Sequence, residues 1–371
     1  MGSKPRGISA SRSASILGLG EYEGQTVFTA WQQICEERQP GFNAERGYVA
    51  PPPVEGAPLR WGSAFEDAIV ELASAKQGRR ISCREDFWIT DGSDPKVWET
   101  SLINLHLPVP ESHYITCHID GRYCDDQNGV FLALHEGKTT SLFNFWENWG
   151  TPGTDRIPQG YQVQVQHQML CTGAAEAIVS VLVFPRRVDE WEAEGLSIAR
   201  EIIGMSGSWF ICRTDTGRYG EEEHYTTIVP CRDWARVIAE MGLFHQYPVA
   251  ASSTLQKTLV DAYRHFWDHY VLPEREPELG TYDDWRRAFP APKGTVVATE
   301  QVERWAAEFH ALGDEISPRG RLGKRREELK LLLLDYMRKA DRAIDDESRE
   351  ATILRDQTGR KLASFNGKVF R

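Results

Sequence analysis

The sequence predicts an α/β fold: a mixed central sheet flanked by helices, then a helical C-terminal extension ending in a β-hairpin. Three observations carry this prediction. Strand signals cluster at Ile81 to Thr90, Tyr114 to Tyr123, Gly129 to Thr139 and Glu176 to Pro185. A helical stripe precedes them and a second interrupts them, the order expected of a sheet with helices on its faces. From Thr299 towards Ala343 the chain turns to long, charged helix, and "ATILRDQTGRKLASFNGKVFR" closes it as a hairpin turning at "DQTG".

In order along the chain, "RGISASRSASILGLG" places Ser9 or Ser11 to cap a short helix beginning near Arg12. Thr29 to Arg38 reads as a second helix, and Pro40 to Pro58 as a surface loop rich in Gly and Pro. "RWGSAFEDAIVELASAKQG" carries Phe65, Ile69, Leu72 and Ala73 at helical spacing and stops at Gly78. "DDQNG" is the turn between the second and third strands, Gln159 to Cys171 is a helix, and Glu176 to Pro185 is the most strand-like run. A strand in "EHYTTIVP", a helix from Arg232 to about Tyr247 and another over Thr254 to Tyr270 follow. Within the basic helix from Arg319 to Arg342, an apolar stripe of Leu329, Leu332, Leu333 and Tyr336 points to packing with a modest electrostatic role. The expected division is a main domain over 1–250, a helix and Pro-rich connector over 251–298, and the charged extension over 299–371.

With 371 residues the chain is long enough for at least one substantial core. The seven cysteines are scattered and never spaced as CxxC, which argues against a disulfide framework, a zinc site and a cysteine-held iron–sulfur cluster. No run approaches about 18 uncharged apolar residues, and "MGSKPRGISASRSAS" lacks the apolar core of a secretory signal, so a cytoplasmic protein with no membrane span is expected. A net charge of -11 argues against coating nucleic acid non-specifically. A local basic groove around an acidic centre remains compatible with it.

The chemistry concentrates at "HEGKTTS". Residues two apart in a strand project to one face, so Glu136 and Lys138 leave the sheet together. The preceding strand ends "CHIDGRY", and pairing through "DDQNG" would bring Asp120 near Glu136 at the same end of the sheet. Two carboxylates and a backbone carbonyl form a hard oxygen site suited to magnesium or manganese. A lysine beside the metal orients a water and stabilises charge on a phosphate. Phosphodiester hydrolysis is the reaction such a group serves, although an isolated ExK is more often a solvated strand end and Asp120 a turn residue before Gly121.

Taken together, "RGISAS", "WGSAFEDA", "HIDGRY", "EGKTTS" and "YQVQVQHQM", in this order from Arg6 to Met169, resemble the lambda-exonuclease-like, or YqaJ-type, phage recombination nucleases of the PD-(D/E)XK superfamily. The tail, with "YDDWRRAFP", resembles longer phage members more loosely. The resemblance implies that Asp120, Glu136, the carbonyl of Gly137 and Glu66 hold metal, probably the wrong word for none of them being a pair of Mg2+ ions for which Mn2+ substitutes. It implies Lys138 as the catalytic lysine, Gln164 near the attacking water, Tyr161 near the scissile strand, and Gln166 in a structural place. Arg6, Ser9 and Ser11, with Arg12 beside them, resemble residues that meet DNA phosphate near a 5' end; an ordinary capped helix reads equally well. Departures are His118 and Ile119 before the first acid, and Gly137 where an apolar residue is usual. His118 and His135 are expected to hydrogen-bond around the acids.

The implied activity is 5' to 3' degradation of one strand of linear duplex DNA, leaving 3' overhangs for a single-strand annealing protein in a phage-infected or prophage-bearing bacterial cell. A homotrimeric ring is implied by resemblance alone. The competing readings are a RecB-like or restriction-type endonuclease and a non-catalytic DNA-end-binding module, while the cysteine pattern speaks against the iron–sulfur nucleases of CRISPR adaptation.

Overall fold

The computed structural model describes residues 7–20, 25–51, 56–82, 85–88, 114–124, 131–200, 209–215, 224–289, 294–312, 321–341, 352–365 and 370. They group into two compact units, Met1–Ala14 with Pro52–Arg264, and Ser15–Pro51 with His265–Arg371. No described helix is long and apolar enough to cross a membrane.

The first unit contains, in chain order, β1 (Ile8–Ser9), α1 (Ala10–Ile16, whose last residues run into the second unit), α2 (Ala57–Gln77), β2 (Ile81–Ser82), β3 (Glu85–Trp88), β4 (Ile115–Ile119), β5 (Gly121–Cys124) and β6 (Phe131–Ser141). Then come α3 (Leu142–Asn148), α4 (Gln159–Thr172), β7 (Glu176–Phe184), α5 (Val188–Ala193), β8 (Leu196–Ala199), β9 (Phe210–Asp215), β10 (His224–Pro230), α6 (Cys231–Glu240), β11 (Phe244–Ala250) and α7 (Ser253–Phe266). The fold is the expected mixed α/β arrangement. Its main sheet has the order β11-β7-β6-β5-β2, beside three-stranded sheets β1-β4-β3 and β10-β9-β8.

The β6 and β7 strands are parallel, from Leu134 opposite Ala177 to Ser141 opposite Phe184, and α3 and α4 form the crossover that parallel pairing requires. Ala177 to Phe184 are all buried, which is why β7 reads as an unbroken apolar run instead of an alternation. On α2, the stripe of Trp61, Ala64, Phe65, Ala68, Ile69 and Ala73 is buried. The helix ends on Gly78 with φ 60°, a left-handed cap that glycine adopts without steric cost.

The expected hairpin is present: Gly121 pairs with His135 and Tyr123 with Ala133, antiparallel. The "DDQNG" turn itself lies outside the described residues. The strand expected over Tyr114 to Tyr123 is instead two strands in different sheets, β4 and β5, separated by Asp120 alone. The expected helix from Arg232 to Tyr247 stops at Glu240, because Gly242 takes φ +77° and Phe244–Ala250 pairs antiparallel with β7.

In the N-terminal segment, β1 runs parallel to β4, with Ser9 opposite Thr116. The helix that follows begins at Ala10, two residues before the expected start. Buried Ser13 and Tyr263 both lie 2.9 Å from His167 Nδ1, and the Tyr263 hydroxyl donates to Ser13 Oγ at 2.7 Å. His167 Nε2 lies 2.7 Å from the Thr116 carbonyl oxygen, which only accepts, so Nε2 carries the proton and Nδ1 is an acceptor.

The second unit has its own core, in which the helix Arg321–Asp341 packs Leu329, Leu333, Leu334 and Met337 against Trp285, Phe309, Leu354 and Phe365. Leu332, expected in the stripe, is 37% exposed, and Tyr336 is partly buried. Much of the basic face is paired internally: Arg325 with Glu308, Lys339 with Asp335, and Arg338 bidentate with Glu276. Thr352–Arg355 and Lys361–Phe365 form the expected C-terminal hairpin, with Gly294–Val297 parallel to the first of them.

Burial pushes the His167 pKa down to about 4, so this imidazole is neutral in the folded chain. Below the ordinary value near 6.5 the unfolded chain binds the proton more readily, and stability falls as pH drops towards 4. Denaturant titrations at pH 7 and 5 are expected to show His167→Gln losing roughly 2 kcal/mol less between the two pH values than the unaltered chain. Parallel losses would mean that His167 is not held neutral.

Candidate active site

Strand alternation in β6 divides the site into two sides. Glu136 and Lys138 face α4, while a Cβ placed on Gly137 would point at α2, 3.3 Å from Ile69 Cγ2 and 3.6 Å from Asp120 Oδ2. Glycine thus permits α2 and the Asp120 carboxylate to close over the strand. Its amide donates to Asp120 Oδ2 at 2.9 Å, which joins the two sides at the break between β4 and β5.

On the α4 side, Glu136 is 1% exposed. Its Oε1 accepts from Lys138 Nζ at 2.5 Å and Gln164 Nε2 at 2.6 Å, and its Oε2 from Gln168 Nε2 at 2.7 Å. Lys138 Nζ also lies 4.9 Å from the centroid of the Tyr161 ring. Burial raises the Glu136 pKa, with Asp120 adding to the shift, and Lys138 and the Gln168 hydrogen bond oppose it. Gln166 is structural as expected, donating to the Ala250 carbonyl and accepting from the Ser252 amide.

On the α2 side, Asp120 and Glu66 line one cavity of about 380 Å³ with Ser63, Asp67, His118, Arg200 and Trp209. The stripe of buried Phe65 and Ile69 packs α2 so that the half-buried Glu66 looks into this space. The structure therefore brings Asp120, Glu136, Gly137 and Lys138 together and places Gln164 and Tyr161 against them. Glu66 meets Asp120 across the cavity, which Glu136 and Lys138 do not line.

Among the described residues, no three His, Cys, Asp or Glu side chains converge closely enough to cage an ion. The donors nonetheless fit magnesium, which takes one or two carboxylates and keeps several waters. Glu66, Asp67 and Asp120 are hard oxygen donors around a cavity with room for water. The Glu136 carboxylate accepts three hydrogen bonds of the roughly four a carboxylate offers, which leaves it one further contact.

At the N-terminus, Ser9 Oγ and Ser11 Oγ lie 3.1 Å apart, and Arg12 Nη1 donates to the Gly7 carbonyl at 3.1 Å. Arg6 lies outside the described residues. Gln168 was not singled out from the sequence, although its place four residues after Gln164 puts both amides on one helix face. Asp67, Arg200 and Trp209 were also missed; only Asp67, next to Glu66, had a local signal.

His118 is exposed and lines the cavity. His135 departs from the hydrogen-bonding role expected of it. It is 1% exposed, neither ring nitrogen has a hydrogen-bond partner among the described residues, and burial pushes its pKa down to about 4. Its ring packs edge-on against Tyr123 at 5.8 Å.

An acid at a break between strands, a second acid and lysine on the paired strand, and a helix acid opposite define an α/β core of the PD-(D/E)XK nuclease type. Residues 2–175 match the family described as "YqaJ-like viral recombinase domain", and this part of the chain belongs to that family. Among solved structures, a phage related exonuclease from Haemophilus somnus 129PT is similar at 12% identity and TM-score 0.37, covering 72% of this chain and 96% of its own. An alkaline exonuclease from Laribacter hongkongensis is similar at 13% identity and TM-score 0.31, covering 73% and 96%. No curated protein matches the chain.

Because His135 makes packing contacts and no hydrogen bonds, His135→Phe is expected to change stability by less than about 1.5 kcal/mol, as for a volume-conserving core exchange. Thermal melting checks this. A drop of several kcal/mol would assign the imidazole a polar partner.

Proposed function

We propose that the chain is a magnesium-dependent exonuclease that digests one strand of linear double-stranded DNA from its 5' end. The observation that carries this reading is the buried Glu136 carboxylate, paired with Lys138 two residues on and joined to Asp120 through the Gly137 amide. A purely structural strand end has no need of a second acid beside an acid already removed from water. Membership of a viral recombinase domain family supports a DNA substrate.

In this reading Asp120, Glu136, Glu66 and the Gly137 carbonyl hold the metal ions, with Mn2+ a substitute for Mg2+. A bound divalent ion supplies a Lewis acid and a more acidic water. Lys138 orients the attacking water and stabilises the charge developing on the phosphate, from a position fixed by Glu136 and Tyr161. Gln164 and Gln168 hold the Glu136 carboxylate from behind. Ser9, Ser11, Arg12 and Arg6 receive the 5' phosphate end of the strand. The products are 3' overhangs suited to a single-strand annealing protein, in the cytoplasm of a bacterial host, and the working form is a ring of three chains.

The test is digestion of one linear duplex labelled separately at its 5' and 3' ends, beside a closed circle of the same sequence. Magnesium-dependent loss of the 5' label, abolished by chelator, with the circle intact, is the expected result. Cutting of the circle would make the protein an endonuclease, and no cutting of either would leave a DNA-end-binding module. Lys138→Ala is expected to retain DNA binding and lose about 100-fold or more in turnover, because the lysine acts chiefly on the transition state. Near-normal turnover would remove its assigned role.

A further inference from the structure

The cavity bordered by Asp120 and Glu66 has a wall unlike its acidic side. Arg200, just past β8, and Trp209, just before β9, line it opposite the acids' helix, with the guanidinium carbon 5.7 Å from the indole centroid. Arg200 is exposed and Trp209 half-buried, the latter packed partly on the apolar cluster around Trp61 and Trp191. Arg200 forms no ion pair or hydrogen bond among the described residues. A guanidinium serving only to neutralise Glu66, Asp67 and Asp120 would form an ion pair with one of them.

We propose that this cavity receives one nucleotide of the strand being digested, its phosphate held by Arg200 and its base stacked on Trp209. The assignment rests on the exonuclease reading of the adjoining acids and adds a binding site to it. Arginine presents a planar fork of donors that matches phosphate oxygens. An indole face stacks on any base, because every base has a π-face, so the site is tolerant of sequence and favours the larger purines. The volume of about 380 Å³ lies at the small end of ligand pockets, in keeping with a single nucleotide and not a duplex.

The test is calorimetric titration of the full chain, in magnesium, with 2'-deoxyguanosine 5'-monophosphate and with the nucleoside 2'-deoxyguanosine. Trp209→Ala weakens binding of both by about tenfold, the loss of one stacked base, while Trp209→Phe retains most of it and preserves the packing. Arg200→Ala removes the preference for the monophosphate over the nucleoside and leaves nucleoside binding as it was. Circular dichroism checks that each variant folds.

Absence of monophosphate binding by the unaltered chain would overturn the proposal, as would equal binding by all variants. Tighter magnesium binding by Arg200→Ala, with nucleotide binding unchanged, would make Arg200 a counter-charge to the acids and also overturn it. If the unaltered chain binds the monophosphate with this variant pattern but digests no DNA, the nucleotide site stands and the exonuclease reading falls.

Discussion

A carboxylate without water organises this molecule. Removing the Glu136 charge from solvent costs several kcal/mol unless donors replace the lost hydration. The donors come from its own strand, through Lys138, and from a crossing helix, through Gln164 and Gln168. Two amides one turn apart on α4 must meet one carboxylate, which fixes the helix against β6 in both rotation and height. Gln168 also donates to the His118 carbonyl on β4, so the same helix face ties the strand before Asp120 to the strand that carries Glu136.

The two faces of β6 then have different duties. One carries charged chemistry under α4, and the other, relieved of a side chain at Gly137, lets Ile69 and Asp120 approach. The Gly137 amide is the hinge between them, since a backbone donor lies in the plane of the sheet and belongs to neither face. A larger residue at this position would separate the acids by pushing α2 outward.

Much of this was legible where the physics is local. The buried β7 run, the stripe of α2 and the hairpin that aligns Asp120 with Glu136 all follow from side-chain periodicity and turn chemistry. The misread segment, Phe244–Ala250, contains His245, Gln246 and Pro248, which do not advertise a strand; it is an edge strand, where a proline is tolerated. The cavity wall of Arg200 and Trp209 was illegible for another reason. Neither residue belongs to a periodic element, and only the pairing of β8 with β9 brings them to one place. The basic helix was ambiguous because charge on a helix does not say whether its partners lie outside or, like Glu308 and Glu276, within the chain.

The interleaving of the two units bears on how the protein is made. Ser15–Pro51 leaves the ribosome early, yet its partners are encoded near the other end: Trp31 donates to the Tyr270 carbonyl, Thr26 to Asp284, and Arg46 pairs with Glu274. Until that distant sequence is translated, Phe28, Trp31 and Phe42, all buried in the finished fold, have only one another for company. Domains generally fold as they emerge, at about 5–20 residues per second. Here the early aromatic cluster waits on the order of tens of seconds for completion, so a nascent chain carries an apolar segment for chaperones to shelter, and a message truncated after the first unit yields a protein that keeps this segment exposed.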